Sequence, residues 1–455
     1  MLKSTHIPTF LMFSLLFVCV STSTTWLPYP AAAQGEILRF DKIKLFGEAE
    51  IYHLFAALFL LILFCVKFGP TAKGRILGDR NYLKDMFLLY FIAVNALMYF
   101  TMHVKNIRLQ GLGAGPLLPF VVFFAVVFYV QDIFLRNKNS RQLAGILTGL
   151  EVLILLRCFY TIIKFSLSLG MPSPFGGGAR MGIESDFADF FVLLFTIALV
   201  RLLFDKDTSV KLRLLHILAI VASSSVGILS FRRYFWAELL AATGIILFFH
   251  WRRNRIDFNK KAAAVCCSTA LILGSVLCMG ADKAVDNRYI GRLLTVLTLV
   301  NPQFASQHGT DTGHRAEIAD GWRNVKSNFV LGITPFGHDK MQRTETAAWQ
   351  HGLFVHNAYL QVWLLYGLLG FILFVMLYLK SLKLGHTLFF RLNNPLGLIL
   401  VTFLVCQMLK NIVWPTAIVV VNVTIVYILL ISLALKASRL NTQANSPFPD
   451  LRQPE

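Results

Sequence analysis

The sequence predicts an all-α, polytopic membrane protein, and three observations predict it. Hydrophobic residues make up 56% of the 455 residues and charged residues only 15%, against roughly a quarter charged in soluble domains. Apolar runs long enough to cross about 30 Å of hydrocarbon recur along most of the chain, and the basic residues gather in alternate connections between them. A backbone crossing lipid must satisfy its own polar groups, so each such run is expected as a helix.

About twelve spans are expected, near residues 7 to 27, 50 to 66, 86 to 102, 115 to 135, 142 to 163, 187 to 204, 212 to 230, 234 to 250, 262 to 280, 353 to 379, 395 to 413 and 415 to 435. The first carries two readings. Lys3, the apolar run and Ala31, Ala32 and Ala33 resemble a signal peptide with its cleavage site. The length of the run, with Trp26 and Tyr29 as interface anchors, favours a retained helix.

Orientation follows from charge. Lys67, Lys73, Arg75, Arg80 and Lys84 crowd one connection, and Arg136, Lys138 and Arg141 another. Arg201, Lys206, Lys211 and Arg213 fill a third, and Arg252, Arg253, Arg255, Lys260 and Lys261 a fourth. The intervening connections are poorer, so the positive-inside rule places both termini in the cytoplasm and the start of the tenth span outside. The net charge of +19 follows largely from this bias. No basic stripe interleaved with aromatics lies on a soluble segment, so nucleic acid is not an expected partner.

Residues 1–280 are thus expected to hold spans one to nine, 281–352 a long outer loop, 353–436 spans ten to twelve, and 437–455 a cytoplasmic tail, disordered from Asn441 onward. Within the loop, Arg292 leads into a short apolar piece expected at the membrane surface. The segment from Gly313 to Asn328 places Ile318, Trp322 and Val325 on one face of an amphipathic helix. Gly332, Pro335 and Gly337 then break the chain into turns.

The stretch from Gly352 to Leu379 is a membrane-length apolar helix with His356 at its polar mouth. Helical spacing puts Leu360, Trp363, Gly367, Gly370 and Phe374 below His356 on one stripe, whose glycines would let another helix approach closely. The seven cysteines all fall in apolar runs and read as small core residues. Five histidines, His308, His314, His338, His351 and His356, lie between the ninth and tenth spans. Their spacing forms neither HExxH nor HxH, and no acidic pair suited to a divalent ion is visible, so neither metal nor cofactor is predicted. Glu151 and Arg157 are the most conspicuous charges inside the spans and are expected as an internal structural pair.

Arg232 and Arg233 stand on a short outer turn, SFRRYF, against the charge bias of the other short connections. Such a pair either anchors lipid headgroups or faces a phosphate-bearing substrate. Taken with HRAEIADGW, LGITPFG and VHNAYLQVWLLYGLLG, this motif order resembles the O-antigen ligase and polysaccharide polymerase superfamily over roughly residues 212 to 380. The resemblance implies a GT-C-like bundle in the bacterial inner membrane, its active site facing the periplasm. It implies metal-independent transfer of a glycan from an undecaprenyl-diphosphate carrier to lipid A-core or another saccharide acceptor. A single dominant outer loop favours a ligase over a polymerase of the same superfamily, and a transporter of a lipid-linked solute is the rival from another class.

The resemblance carries over to Arg233, Arg315 and His356 as catalytic residues. Arg232, His314, Asn357 and Trp322 are the candidates for substrate contact. Where the family usually has Ser-x-Ser-Arg, this chain has Ser230-Phe231-Arg232-Arg233, so either arginine could fill the role. The chemistry suits the residue types: a sugar hydroxyl needs a base to take its proton, and fixed guanidiniums stabilise the charge gathering on a leaving diphosphate. A helix N-terminus at His356 would favour the neutral, basic imidazole.

Overall fold

The computed structural model describes residues 7–21, 44–46, 49–68, 82–105, 107, 118–166, 171–172, 179–180, 185–205, 209–230, 233–253, 310–334, 355, 357–412 and 421–444. Every expected span falls on a helix except that at 262–280, which lies outside the described residues. In chain order the helices are α1 (Ile7–Ser21), α2 (Ile51–Phe68), α3 (Tyr82–Val104), α4 (Leu118–Tyr129), α5 (Ser140–Ser166), α6 (Ser185–Phe204), α7 (Val210–Leu229) and α8 (Arg233–Arg253). They continue with α9 (Thr310–Ser327), α10 (Ala358–Phe390), α11 (Pro395–Lys410) and α12 (Val421–Ala444). A π turn, Val130–Phe134, extends α4.

Five of these are long and apolar enough to cross a membrane: Ser140–Ile163, Val210–Gly227, Tyr234–Arg253, Ala358–Phe390 and Val421–Thr442. The described residues are all-helical apart from two short pairings in connections. Two short antiparallel ladders, β1 (Lys44–Phe46) with β2 (Ala49–Glu50) and β3 (Met171–Pro172) with β4 (Ala179–Arg180), sit in connections. Each helps join helices, and neither builds a layer. Helix α12 itself continues to Ala444.

Local chemistry sets the helix starts. Asn139 and Gln142 exchange side chain and backbone amide at 3.0 Å each, a reciprocal cap on α5. Asn394 caps α11 with Pro395 in its first turn, where a missing N–H costs nothing.

The bundle is built around α6, whose residues from Ala188 to Arg201 are all buried. A helix apolar on every side must be enclosed, and α5, α7, α8, α11 and α12 enclose it. Helix α1 packs on α5, where Gly149 leaves room for the Phe13 ring, and its Met12, Leu16 and Cys19 belong to the same core. Cys19, Cys158 and Cys406 are buried as expected, whereas Cys65 is exposed on α2.

At one end of the bundle the packing is aromatic. The guanidinium of Arg253 lies 5.8 Å from the Phe204 ring centre and 5.5 Å from that of Phe389. His250 meets Phe204 edge-on, and Phe249 meets Phe389 and Phe390. Near the opposite end lies the buried ion pair of Asp189 and Lys410.

Candidate active site

The mouth of α10 is fixed from several directions. Asn357 caps the helix, accepting the Leu360 amide at 3.0 Å, and donates its own side-chain amide to the Ile412 carbonyl at 3.0 Å. The Ala358 N–H donates to the Asn411 carbonyl at 2.7 Å, and the Tyr359 hydroxyl to that of Met408 at 2.9 Å. Just before the cap, the buried Val355 gives its N–H to Gln361 Oε1 at 2.8 Å. The start of α10 therefore sits on the last turn of α11.

His356 itself lies outside the described residues, one position before the cap, between two residues that the structure holds. The helix begins later than the expected Gly352, and it also runs further, to Phe390. Thirty-three residues would reach about 50 Å if straight, more than the hydrocarbon requires. The helix is not straight. Gly367 breaks it with φ 66° and ψ −171°, a conformation in practice reserved for glycine.

What fills the break at Gly367 is the backbone of the chain after α9. The Ile333 N–H donates to the Leu364 carbonyl at 2.7 Å and that of Thr334 to Leu365 at 3.0 Å, while the Leu368 N–H returns to the carbonyls of Phe329 and Val330 at 3.1 Å. The break frees polar backbone groups that need partners away from water, and this segment supplies them. A Cβ on Gly367 would collide with the Val330 carbonyl, and one on Gly332 with the Gly367 amide. Lys105, at the end of α3, secures the same segment by donating to the Gly332 carbonyl at 2.6 Å and to Asn328 Oδ1. Burial lowers the hold of that ammonium on its proton.

Helix α9 carries His314 and Arg315 in its first half. The expected apolar face is only partly right. Val325 is buried with Ile333, Val355 and Leu364, but Ile318 and Trp322 are 37% and 41% exposed, and Glu317, Asp320 and Asn324 point inward instead. Gly321 lies against Val355, so this polar inner face flanks the mouth of α10. On the outer side Trp322 meets Trp363 edge-on at 6.0 Å, and Trp363 stacks on Phe371 at 4.7 Å. This gives an aromatic surface of the kind that packs on sugars or lipid.

Arg233 is the first residue of α8 and is described through its backbone alone, while Arg232 lies outside the described residues. The next residue, Tyr234, places its ring 5.3 Å from Lys410 Nζ at the end of α11. Lys410 is buried and pairs with Asp189 of α6, Nζ to Oδ2, at 2.6 Å. Gln407 donates to the other Asp189 oxygen. Glu238 of α8, also buried, interacts electrostatically with both Lys410 and Asp189, and its carboxylate has no hydrogen-bond partner among the described residues. The first turns of α8 and α10 thus meet on the last turn of α11.

Sequence reasoning missed this cluster, although its signal was present in charges within apolar runs. The pairing of Glu151 with Arg157 is also corrected. Glu151 holds His216 Nδ1 at 2.6 Å and Arg201 Nη1 at 3.3 Å, while Arg157 lies over Tyr160. Among the described residues no group of three or more His, Cys, Asp or Glu side chains is placed to hold a metal ion.

In comparison with known proteins, a family model described as O-Antigen ligase matches residues 218–375. The match runs from within α7 through α8 and α9 to the helical segment below the α10 break. No curated protein matches the chain.

Proposed function

Since residues 218–375 give this chain a domain of the O-antigen ligase and polymerase superfamily, we propose that it transfers a glycan from an undecaprenyl-diphosphate carrier to a saccharide acceptor, as an O-antigen ligase does. The proposed setting is the bacterial inner membrane, crossed about twelve times, with the Asp189 and Lys410 end of the bundle in the periplasm. The observation that carries the proposal is the convergence of the α8 and α10 starts, within the matched region, on Tyr234, Lys410 and Asn411.

In this reaction His356 takes the proton of the acceptor hydroxyl as that oxygen attacks the sugar carbon, and the carrier diphosphate leaves with the bonding electrons. Arg233, or Arg232 in its place, and Arg315 hold the diphosphate and stabilise its growing charge. His314 and Trp322 lie on α9 to meet the glycan or carrier. Asn357 contributes chiefly by capping, because its side chain is already engaged with Leu360 and Ile412.

The test is transfer in lipid nanodiscs with purified carrier-linked donor and acceptor. His356→Ala is expected to keep donor binding and lose about 10²- to 10⁴-fold in turnover. Near-normal turnover would remove the base assignment. Transfer is expected to persist in EDTA, and loss restored by a divalent metal would remove the metal-independent mechanism. The glycolipids of a deletion strain separate the two members of the superfamily: unligated polymer on the carrier marks a ligase, single repeats a polymerase.

A further inference from the structure

We infer that Lys410, clamped by Asp189, is a positioning residue that sets the spacing between the arginine-bearing start of α8 and the histidine-bearing mouth of α10. The inference rests on the proposed transfer reaction and extends it to residues beyond the matched region: Asp189 precedes residue 218 and Lys410 follows residue 375.

Two contacts meet at this side chain, and its backbone makes a third connection. Its ammonium bonds Asp189 on the central helix at 2.6 Å and lies 5.3 Å from the ring of Tyr234, the residue after Arg233. Its own backbone leads directly to Asn411 and Ile412, whose carbonyls receive Ala358 N and Asn357 Nδ2 at 2.7 and 3.0 Å. Asn411 is itself tied back to the Tyr378 hydroxyl on α10 at 3.1 Å. Moving Lys410 therefore moves both mouths, since the same residue meets Tyr234 and leads into the carbonyls that hold α10.

A buried ion pair is weak evidence for stability, because an apolar pair of similar volume often serves the fold as well or better. What an apolar pair lacks is direction. The ammonium fixes one distance to a carboxylate and one to a ring, and a two-site reaction depends on such distances: a displacement of about 1 Å can cost about 10²-fold in rate.

The discriminating variant is the apolar pair Asp189→Leu with Lys410→Met, made together with Glu238→Gln so that no carboxylate of the cluster is left buried without its counter-charge. It is expected to fold, to bind the carrier-linked donor with a KM within about threefold of the parent, and to lose about 10²-fold in kcat. A merely structural role would lower the amount of folded protein and leave kcat per folded molecule unchanged, and that outcome overturns the inference.

A second measurement is independent of activity. With the seven native cysteines replaced, cysteines at positions 233 and 356 are joined by thiol crosslinkers of graded length. One length is expected to dominate in the parent and a broad range in the apolar pair. An unchanged length preference overturns the inference even if kcat falls. Should the parent show no transfer at all, the proposed function fails, while the crosslinking result still decides whether Lys410 sets the spacing.

Discussion

Helix α6 carries two buried ionic clusters, and their neighbours differ. Near its start Asp189 binds Lys410 and Gln407, with Glu238 beside them; near its end Arg201 binds Glu151, Thr148 and Asp205, with His216 on the other Glu151 oxygen. Twelve residues separate the two along the helix, about 18 Å. The first cluster touches α8 and α11 at the mouth of α10. The second joins α5, α6 and α7 with Asp205, the residue after α6. Burial and charge alone do not mark a functional site: the two clusters are similar in chemistry, and only one adjoins the helix starts that carry the arginine and histidine motifs.

The largest expected effect on stability belongs to the second cluster. Arg201→Met strands Glu151 with His216 as its remaining partner and is expected to destabilise by about 3–5 kcal/mol, read from thermal denaturation in detergent. Turnover per folded molecule is expected to hold. A drop in kcat without a drop in stability would erase the contrast between the clusters.

Asp189→Asn is expected to cost less, about 1–3 kcal/mol, because Glu238 stands ready as a second counter-charge for Lys410. Glu238→Gln alone is expected to cost under about 1 kcal/mol, and the double variant to cost more than the sum of the two. Additivity would show that Glu238 does not share the Lys410 charge.

Gly367→Ala tests the break in α10 above which the mouth is built. The backbone conformation alone costs a side chain about 1–3 kcal/mol, and the added Cβ meets the Val330 carbonyl. Hydrogen exchange at Ile333 and Thr334, whose amides fill the break, is expected to accelerate while that at α6 does not. Equal protection at 333 and 334 in variant and parent would mean the segment after α9 docks without the break.

The smallest effect is expected at Trp322. Its edge-on contact with Trp363 is worth about 0.5–1.5 kcal/mol beyond area burial, so Trp322→Ala should barely shift the melting midpoint. If the exposed ring meets the glycan or the carrier, donor KM rises instead; an unchanged KM would leave Trp322 as packing for Trp363.

The sequence by itself determined the helices. Hydrocarbon thickness and backbone satisfaction act on contiguous residues, so apolar length is enough to place the apolar helices, and Asn394-Pro395 is enough to start α11. The stripe below His356 also placed Gly367 and Gly370 on a close-packed face, although what fills the break at Gly367 is the backbone of the chain after α9. The motif order around SFRR and VHNAYL was legible for the same reason, since each motif marks one helix start.

Only the tertiary structure decided which charges meet. Asp189 finds Lys410 across 221 positions, and Glu151 takes Arg201 and His216 in place of the nearer Arg157. On α9, Ile318 and Trp322 face outward while Glu317 and Asp320 turn in. A polar group inside the bundle must find a partner at low dielectric, and that partner depends on how each helix is rotated about its axis and which helices flank it. Helical periodicity fixes the stripe on which a charge lies, and neighbours that are distant in the chain fix what that stripe faces.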